Sequence, residues 1–536
     1  MVKNLGKLIA VAVVAGVGAW IIYELFRGNV VRRRSMTPEE ARRFLKEMYK
    51  KYLGDYLLAR RWVVEGDSCT ECREAVGRLA SRYGINIEGI SSEREREALL
   101  SSIRERVEPM PSILFYGAPG VGKSETVKDF AREVAEEYGL LFIDFEESSL
   151  QSVLSNRWTS FVFVDLRLTS VEPADLMGIP REVDINKIEK ISNYVPFGWA
   201  IALHHSPGVL FLDELTNVKR QDVISAAYQL VLDRRSGFVK FDPGVAVISA
   251  GNPPEVSAVS TKLPGPLLER FDTYHIIAPT VDEWKDYMVR KYGDNWCRLI
   301  YYYLKARPES LIPKSIPARA LTQEDQFPAP RGWTRLAVKL YKLFGDRVPE
   351  VMAKLIDTPC SSVMRLKPGD MGYDYEAKIV CESIASTVGM REAEILPFYI
   401  GIKVPNAKEL LQDFDKFKEW LDREVEDRLK KVGGDKNSIT MAVLWGITPI
   451  LSDALENIIE EEGAEGVMRF IDSLAKLVDF LERYDKTLGV LLMAPICKRR
   501  DEEEFMKIKM EVYKRSPKVR EHVEEYIRTI KGMVKQ

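Results

Sequence analysis

One eight-residue stretch constrains this 536-residue chain more than any other: Gly117-Ala118-Pro119-Gly120-Val121-Gly122-Lys123-Ser124. A short apolar run, residues 112–116, precedes it, and residues 124–138 after it repeat apolar side chains at helical spacing. Strand, glycine-rich turn and helix in that order form a phosphate cradle. The glycines let the backbone curl until its amide N–H groups face phosphate oxygens. The following helix adds its positive N-terminal end. In this setting Lys123 reaches for β- and γ-phosphates, and Ser124 offers a hydroxyl to Mg²⁺.

Further apolar runs, at residues 140–145, 161–165, 209–212, 245–249 and 274–278, alternate with helical segments. Short buried strands separated by helices predict an α/β fold with a parallel sheet covered on both faces. The run at 209–214, VLFLDE, ends in two acids. A buried strand delivers such carboxylates to the C-terminal edge of the sheet, where ligands bind in doubly wound folds. Asp213 is then placed to hold the Mg²⁺ shell through water, and Glu214 to orient and activate an attacking water.

With these residues in order, the chain resembles the AAA+ ATPases, and among them the MoxR-like branch, over about residues 109–340. GAPGVGKS resembles their Walker A element and VLFLDEL (209–215) their Walker B element. The resemblance implies a P-loop NTPase core, ATP and Mg²⁺ as ligands, and hydrolysis of a phosphoanhydride. Gly117, Ala118, Pro119, Gly120, Val121, Gly122, Lys123, Ser124 and Glu125 would surround the nucleotide. It further implies that Asn252, in VISAGNPP (247–254), positions the lytic water. Arg270, in LLERFD (267–272), would point into a neighbouring subunit's site, and Arg331, in PAPRGW (328–333), would contact the phosphates from a small helical lid. Residues 165–180 and 230–237 resemble further segments of the branch, with Arg234 and Arg235 as candidate interface charges. Since Arg270 serves another protomer, the working form implied is a ring, expected to be a hexamer. The partner implied is a protein client, with any von Willebrand A-type partner on a separate chain, because no DxSxS string occurs here.

Residues 8–23 carry no charge, and a helix over 5–26 would just span the roughly 30 Å hydrocarbon layer. Trp20 and Tyr23 sit near one end, and Arg27, Arg32, Arg33 and Arg34 follow. The expectation is a single-pass membrane anchor with the ATPase in the cytoplasm; a cleaved secretory signal is the competing reading. The predicted division is anchor and basic flank 1–34, charged helices 35–108, nucleotide-binding core 109–280, helical lid 281–345 and an added α-helical region 346–536. Thr37 caps the first helix of the second segment, with Pro38 at its first position. Residues 414–432 are amphipathic at helical spacing, and 487–495 is too short to cross a membrane.

Lys and Arg number 78 against 80 Asp and Glu, so no global basic field favours nucleic acid as partner. A nucleic-acid motor on the same core, and a nucleotide-held scaffold without turnover, are the alternative readings. Six cysteines in this length make no disulfide framework, and the CxxC pair Cys69/Cys72 has no second pair to complete a zinc site. Reduced thiols are expected. His204 and His205 are adjacent, hence about 100° apart on a helix, and do not suit a shared metal.

Overall fold

The computed structural model describes residues 35–185, 189–253, 260–312, 326–404, 406–499, 503–516, 518 and 520–524. The expected anchor at 5–26 and its basic flank lie outside the described residues, as does the middle of the expected lid. The chain divides into two compact units after Pro279.

In the first unit the strands run in chain order β1 (Ser35–Met36), β2 (Ile113–Gly117), β3 (Leu141–Asp144), β4 (Ser160–Arg167), β5 (Ile179–Ile185), β6 (Glu189–Val195), β7 (Gly208–Asp213), β8 (Arg235–Ser236), β9 (Val239–Lys240), β10 (Val245–Gly251) and β11 (Asp272–Ile276). Seven of them form one sheet ordered β1-β11-β2-β10-β7-β4-β3, and every pairing in it is parallel. The six sheet strands from β2 onward fall on the apolar runs of the sequence, each boundary within two residues. Two antiparallel hairpins, β5–β6 and β8–β9, were not expected. Short two-residue strands and mixed polar sequences give no clear period-2 signal.

Helices cover both faces, as a parallel sheet requires. On one face Leu114, Val164, Leu210, Leu212 and Val247 pack with Trp199, Leu203, Val223, Ala227 and Leu230 from helices Gly198–His205 and Gln221–Leu232. On the other lie the helix Lys123–Glu137 and the long helix Pro38–Glu65; Tyr49 of the latter meets Phe130 and Phe161 edge-on. That long helix starts as expected. Thr37 accepts from the Glu40 N–H while Glu40 reaches back to the Thr37 N–H, a reciprocal cap with Pro38 at the first turn.

A buried ion pair ties this helix to the sheet. Arg60 donates to Asp242 at 2.7 Å and to the His205 carbonyl at 2.7 Å, and Tyr56 donates to Asp242 at 2.9 Å. Residues 35–108 therefore share the core of the first unit.

The second unit is helical. Its apolar core runs without interruption from Val281 through Trp333, Leu396 and Leu455 to Val523, so the expected lid and the added region share one interior. Among the described residues one helix, Lys436–Met468, is long and apolar enough to cross a membrane; 61% of its apolar window is buried inside the protein, as in a central core helix. The helix Phe414–Val432 forms as predicted, and Gly433-Gly434 separates it from the next. Leu488, Leu492 and Met493, from the stretch at 487–495, are fully buried.

The cysteine expectation is corrected. Cys69 pairs with Cys72, and Cys360 with Cys381. The second pairing joins the helices Cys360–Val363 and Tyr375–Val388, whose packing no spacing rule reveals. Cys297 stays a thiol, and burial pushes its pKa up to about 12.

Candidate functional site

The turn after β2 begins under steric constraint. A side chain at Gly117 would place its Cβ 2.6 Å from the Ile276 carbonyl, so only glycine lets β2 and β11 approach there. Gly122 takes φ 101°, outside the range of ordinary L-residues, and thereby turns the chain into the helix Lys123–Glu137. The consequence is a nest of backbone amides at a helix N-terminus, an anion site by construction.

Lys123 is buried, and its ammonium donates to the Gly117 carbonyl at 2.7 Å, the Ala118 carbonyl at 3.1 Å and Asn252 Oδ1 at 2.9 Å. The loop thus holds its cation at its own centre. Asn252 follows β10, which runs between β2 and β7. Its N–H donates to Thr216 Oγ1 at 2.8 Å, and Thr216 is fully buried in the turn Leu215–Asn217.

Ser124 donates to Asp213 Oδ2 at 2.9 Å. Asp213 ends β7, and its other oxygen accepts the Glu214 N–H at 2.8 Å. Glu214 takes φ 59°; only it and Arg234 do so among described non-glycine residues. Such a left-handed residue costs about 1 kcal/mol or more and persists where neighbours over-determine it. Here Thr169 donates to Glu214 Oε2 at 2.7 Å, and Arg167 stands 3.8 Å from Oε1. The carboxylate is therefore aimed rather than left to swing. On the neighbouring strand, partial desolvation and, second, the Asp213 charge raise the Asp165 carboxyl above the usual range.

Five sequence-predicted residues thus meet through direct contacts: Lys123 with Asn252, Ser124 with Asp213, Asp213 with Glu214. Thr169 and Thr216 join them unannounced. Thr169 lies in the 165–180 segment already compared with the family, but nothing in that string marks its hydroxyl.

Arg270 does not join them. It is exposed, two residues before β11, whose first residue Asp272 aligns with Ile113 at the far end of β2. The strand separates Arg270 from its own phosphate loop by about 17 Å at ~3.3 Å per residue. Arg331 lies in the second unit, exposed in the first turn of the helix Pro330–Phe344.

Arg234, considered as an interface charge, points inward instead. It donates to the carbonyls of Val245 (2.8 Å) and Met110, and to Ser112 Oγ at 3.1 Å. Its backbone takes a positive φ of 49°. Arg235 is exposed and pairs with Asp233.

Comparison with known proteins agrees with this geometry. Residues 113–277 match the family described as ATPase family associated with various cellular activities (AAA). Among solved structures, NtrX from Brucella abortus in complex with ADP is 15% identical, over 78% of this chain and 73% of that one, with TM-score 0.24. AMPPCP-bound DnaA from Aquifex aeolicus is 13% identical, over 72% of this chain and 96% of that one, with TM-score 0.22. Superpositions that loose carry no argument. No curated protein sequence matches the chain. The first unit therefore holds an AAA ATPase domain, with a P-loop core and a parallel sheet between helices.

Proposed function

We propose that the chain is an ATP-hydrolysing machine of the MoxR-like AAA+ kind, working as a ring on a protein client and anchored to a membrane by residues 5–26. The observation that supports hydrolysis over simple binding is Glu214, held in a costly backbone conformation with its carboxylate fixed by Thr169. A module that only bound nucleotide would have no use for an acid so placed.

The loop amides and Lys123 bind the phosphates, and Lys123 exchanges loop carbonyls for β- and γ-oxygens. The Ser124 hydroxyl and Asp213 carboxylate are hard oxygen donors already in contact, a set that fits Mg²⁺. When bound, the ion neutralises charge on the β- and γ-oxygens. Glu214 accepts a proton from the attacking water, and Asn252, fixed by Thr216, orients that water beside Lys123. Arg270, far from its own loop, offers its charge to the γ-phosphate of an adjoining protomer.

The supporting experiment uses the full chain. Turnover per protomer should rise with protein concentration, and Glu214→Gln should bind ATP while losing about 10²–10⁴ in rate, the usual worth of a general base. Wild-type turnover in Glu214→Gln would remove hydrolysis at this site. Glu214→Gln should also retain a protein client in pull-downs from native membranes. Recovery of nucleic acid instead would favour the motor reading.

A further inference from the structure

The first unit carries a second chemically distinctive cluster, away from the nucleotide. The helix Thr70–Tyr83 begins at Cys69, which serves as its cap: the Cys72 N–H donates to Cys69 Sγ at 3.2 Å. The two sulfurs form a disulfide across a Cα–Cα distance of 5.2 Å. They are unequal in access, since Cys69 is half-buried and Cys72 is fully buried. The Glu65 carboxylate, at the end of the helix Pro38–Glu65, lies within 4.8 Å of both sulfurs.

The other disulfide differs on every count. Cys360 and Cys381 are both fully enclosed in the helical core, at 1% and 0% exposure, and neither sulfur can be reached in the folded state.

Exchange chemistry needs one sulfur open to attack, a partner sulfur that can leave, and a site that favours thiolate once reduced. A CxxC pair at a helix N-terminus supplies the last, because the helix amides and dipole stabilise the capping thiolate. Nearby acids work against a thiolate, but Glu65 pairs with Arg61 at 2.6 Å and Asp67 with Arg73 at 2.8 Å, while Glu71, beside Cys72, is exposed to screening by water.

We propose that Cys69–Cys72 is a thiol–disulfide exchange site whose co-reactant is an external dithiol. A donor thiolate attacks Cys69 Sγ, the Cys69–Cys72 bond breaks, and Cys72 leaves as a thiolate that takes up a proton, with Glu65 close enough to relay it. The donor's second thiol loses its proton and attacks the donor sulfur of the mixed disulfide. The donor departs with an internal disulfide, and Cys69 is released as a thiolate. Two electrons pass from donor to pair, so the donor is oxidised and the pair reduced; of the donor's two thiol protons, one ends on Cys72 and the other, lost to solvent when the attacking thiolate formed, is balanced by the Cys69 thiolate. An external disulfide reverses each step. The site stands independently of ATP hydrolysis.

The test treats the folded full chain with graded mixtures of reduced and oxidised dithiothreitol, quenches with iodoacetamide and reads each cysteine by peptide mass spectrometry. Cys69 and Cys72 should become alkylated at least ~10-fold faster than Cys360 and Cys381, with circular dichroism unchanged, and should re-pair on oxidation. In the reduced protein Cys69 should react before Cys72. Treated with 5,5′-dithiobis(2-nitrobenzoate), Cys72→Ser should accumulate a mixed disulfide at Cys69 with 5-thio-2-nitrobenzoate as the leaving thiolate, whereas Cys69→Ser should not form one at Cys72. Both disulfides opening together, and only on unfolding, would overturn the proposal. So would equal trapping by the two variants, or stoichiometric Zn²⁺ retained by Glu65 and the reduced pair. If either variant fails to fold, the order of alkylation in the wild type still decides.

Discussion

The two units are built on different principles. In the first, residues are fixed by what they must do at one point: Gly117 by the approach of Ile276, Lys123 by the loop carbonyls, Asp242 by Arg60. In the second, one long apolar core passes from helix to helix, and Leu396 and Leu455 are fixed by being apolar and of the right volume. Specific partners leave a trace in a sequence, whereas shared volume leaves little. That contrast also sets how each unit should respond to substitution.

The largest effect belongs to the first unit. Arg270→Ala should cost about 10³–10⁵ in turnover, the usual worth of an arginine finger, while ATP affinity by equilibrium binding stays near wild type. Unchanged turnover would mean the side chain serves no active site.

Next comes the buried pair. Asp242→Ala leaves Arg60 charged without its partner and should destabilise the first unit by about 3–5 kcal/mol in denaturant unfolding. Even Arg60→Lys should be costly, since it loses the forked contacts to Asp242 and the His205 carbonyl. In the helical unit Leu455→Ala should cost about 2–5 kcal/mol, but Leu455→Met much less, because volume is what that core needs. Equal sensitivity to both conservative changes would break the comparison.

Thr169→Val should lower kcat by roughly tenfold, about 1.4 kcal/mol, with KM unchanged, because it releases the Glu214 carboxylate without touching the phosphates. A rise in KM alone would contradict that role.

The smallest effect is a pH response in the helical unit. Glu392 is buried, accepts from Tyr303 and Ser310, and burial raises its carboxyl above the usual range. The folded state therefore prefers the protonated acid. Its stabilisation is complete below the unfolded value of about 4.3 and fades as pH rises through the folded value. Glu392→Gln should flatten that decline in melting temperature from pH 4 upward; a parallel decline in the variant would exclude Glu392 as its source.

Much of the first unit was legible because short apolar runs and a glycine-lysine-serine turn obey tight local rules. Lys123, Ser124, Asp213 and Glu214 come together where their type and spacing place them. Thr169 and Thr216 do not, since a threonine hydroxyl acquires its role from a neighbour distant in sequence. The hairpins β5–β6 and β8–β9 were missed for want of a pattern, and the Cys360–Cys381 pairing because it depends on helix packing. Arg234 pairs inward instead of across an interface because its partners Met110 and Ser112 are distant in sequence. In the second unit helices were readable from periodicity, but their single shared interior was not.

The proposed hydrolytic site is built by two protomers, one giving the loop and the other Arg270. Full-length Arg270→Ala and Lys123→Ala, each inactive alone, should regain a clear fraction of wild-type ATPase rate when mixed, because an intact loop can then face an intact arginine. A mixture as inactive as its parts, with co-assembly verified, would contradict it.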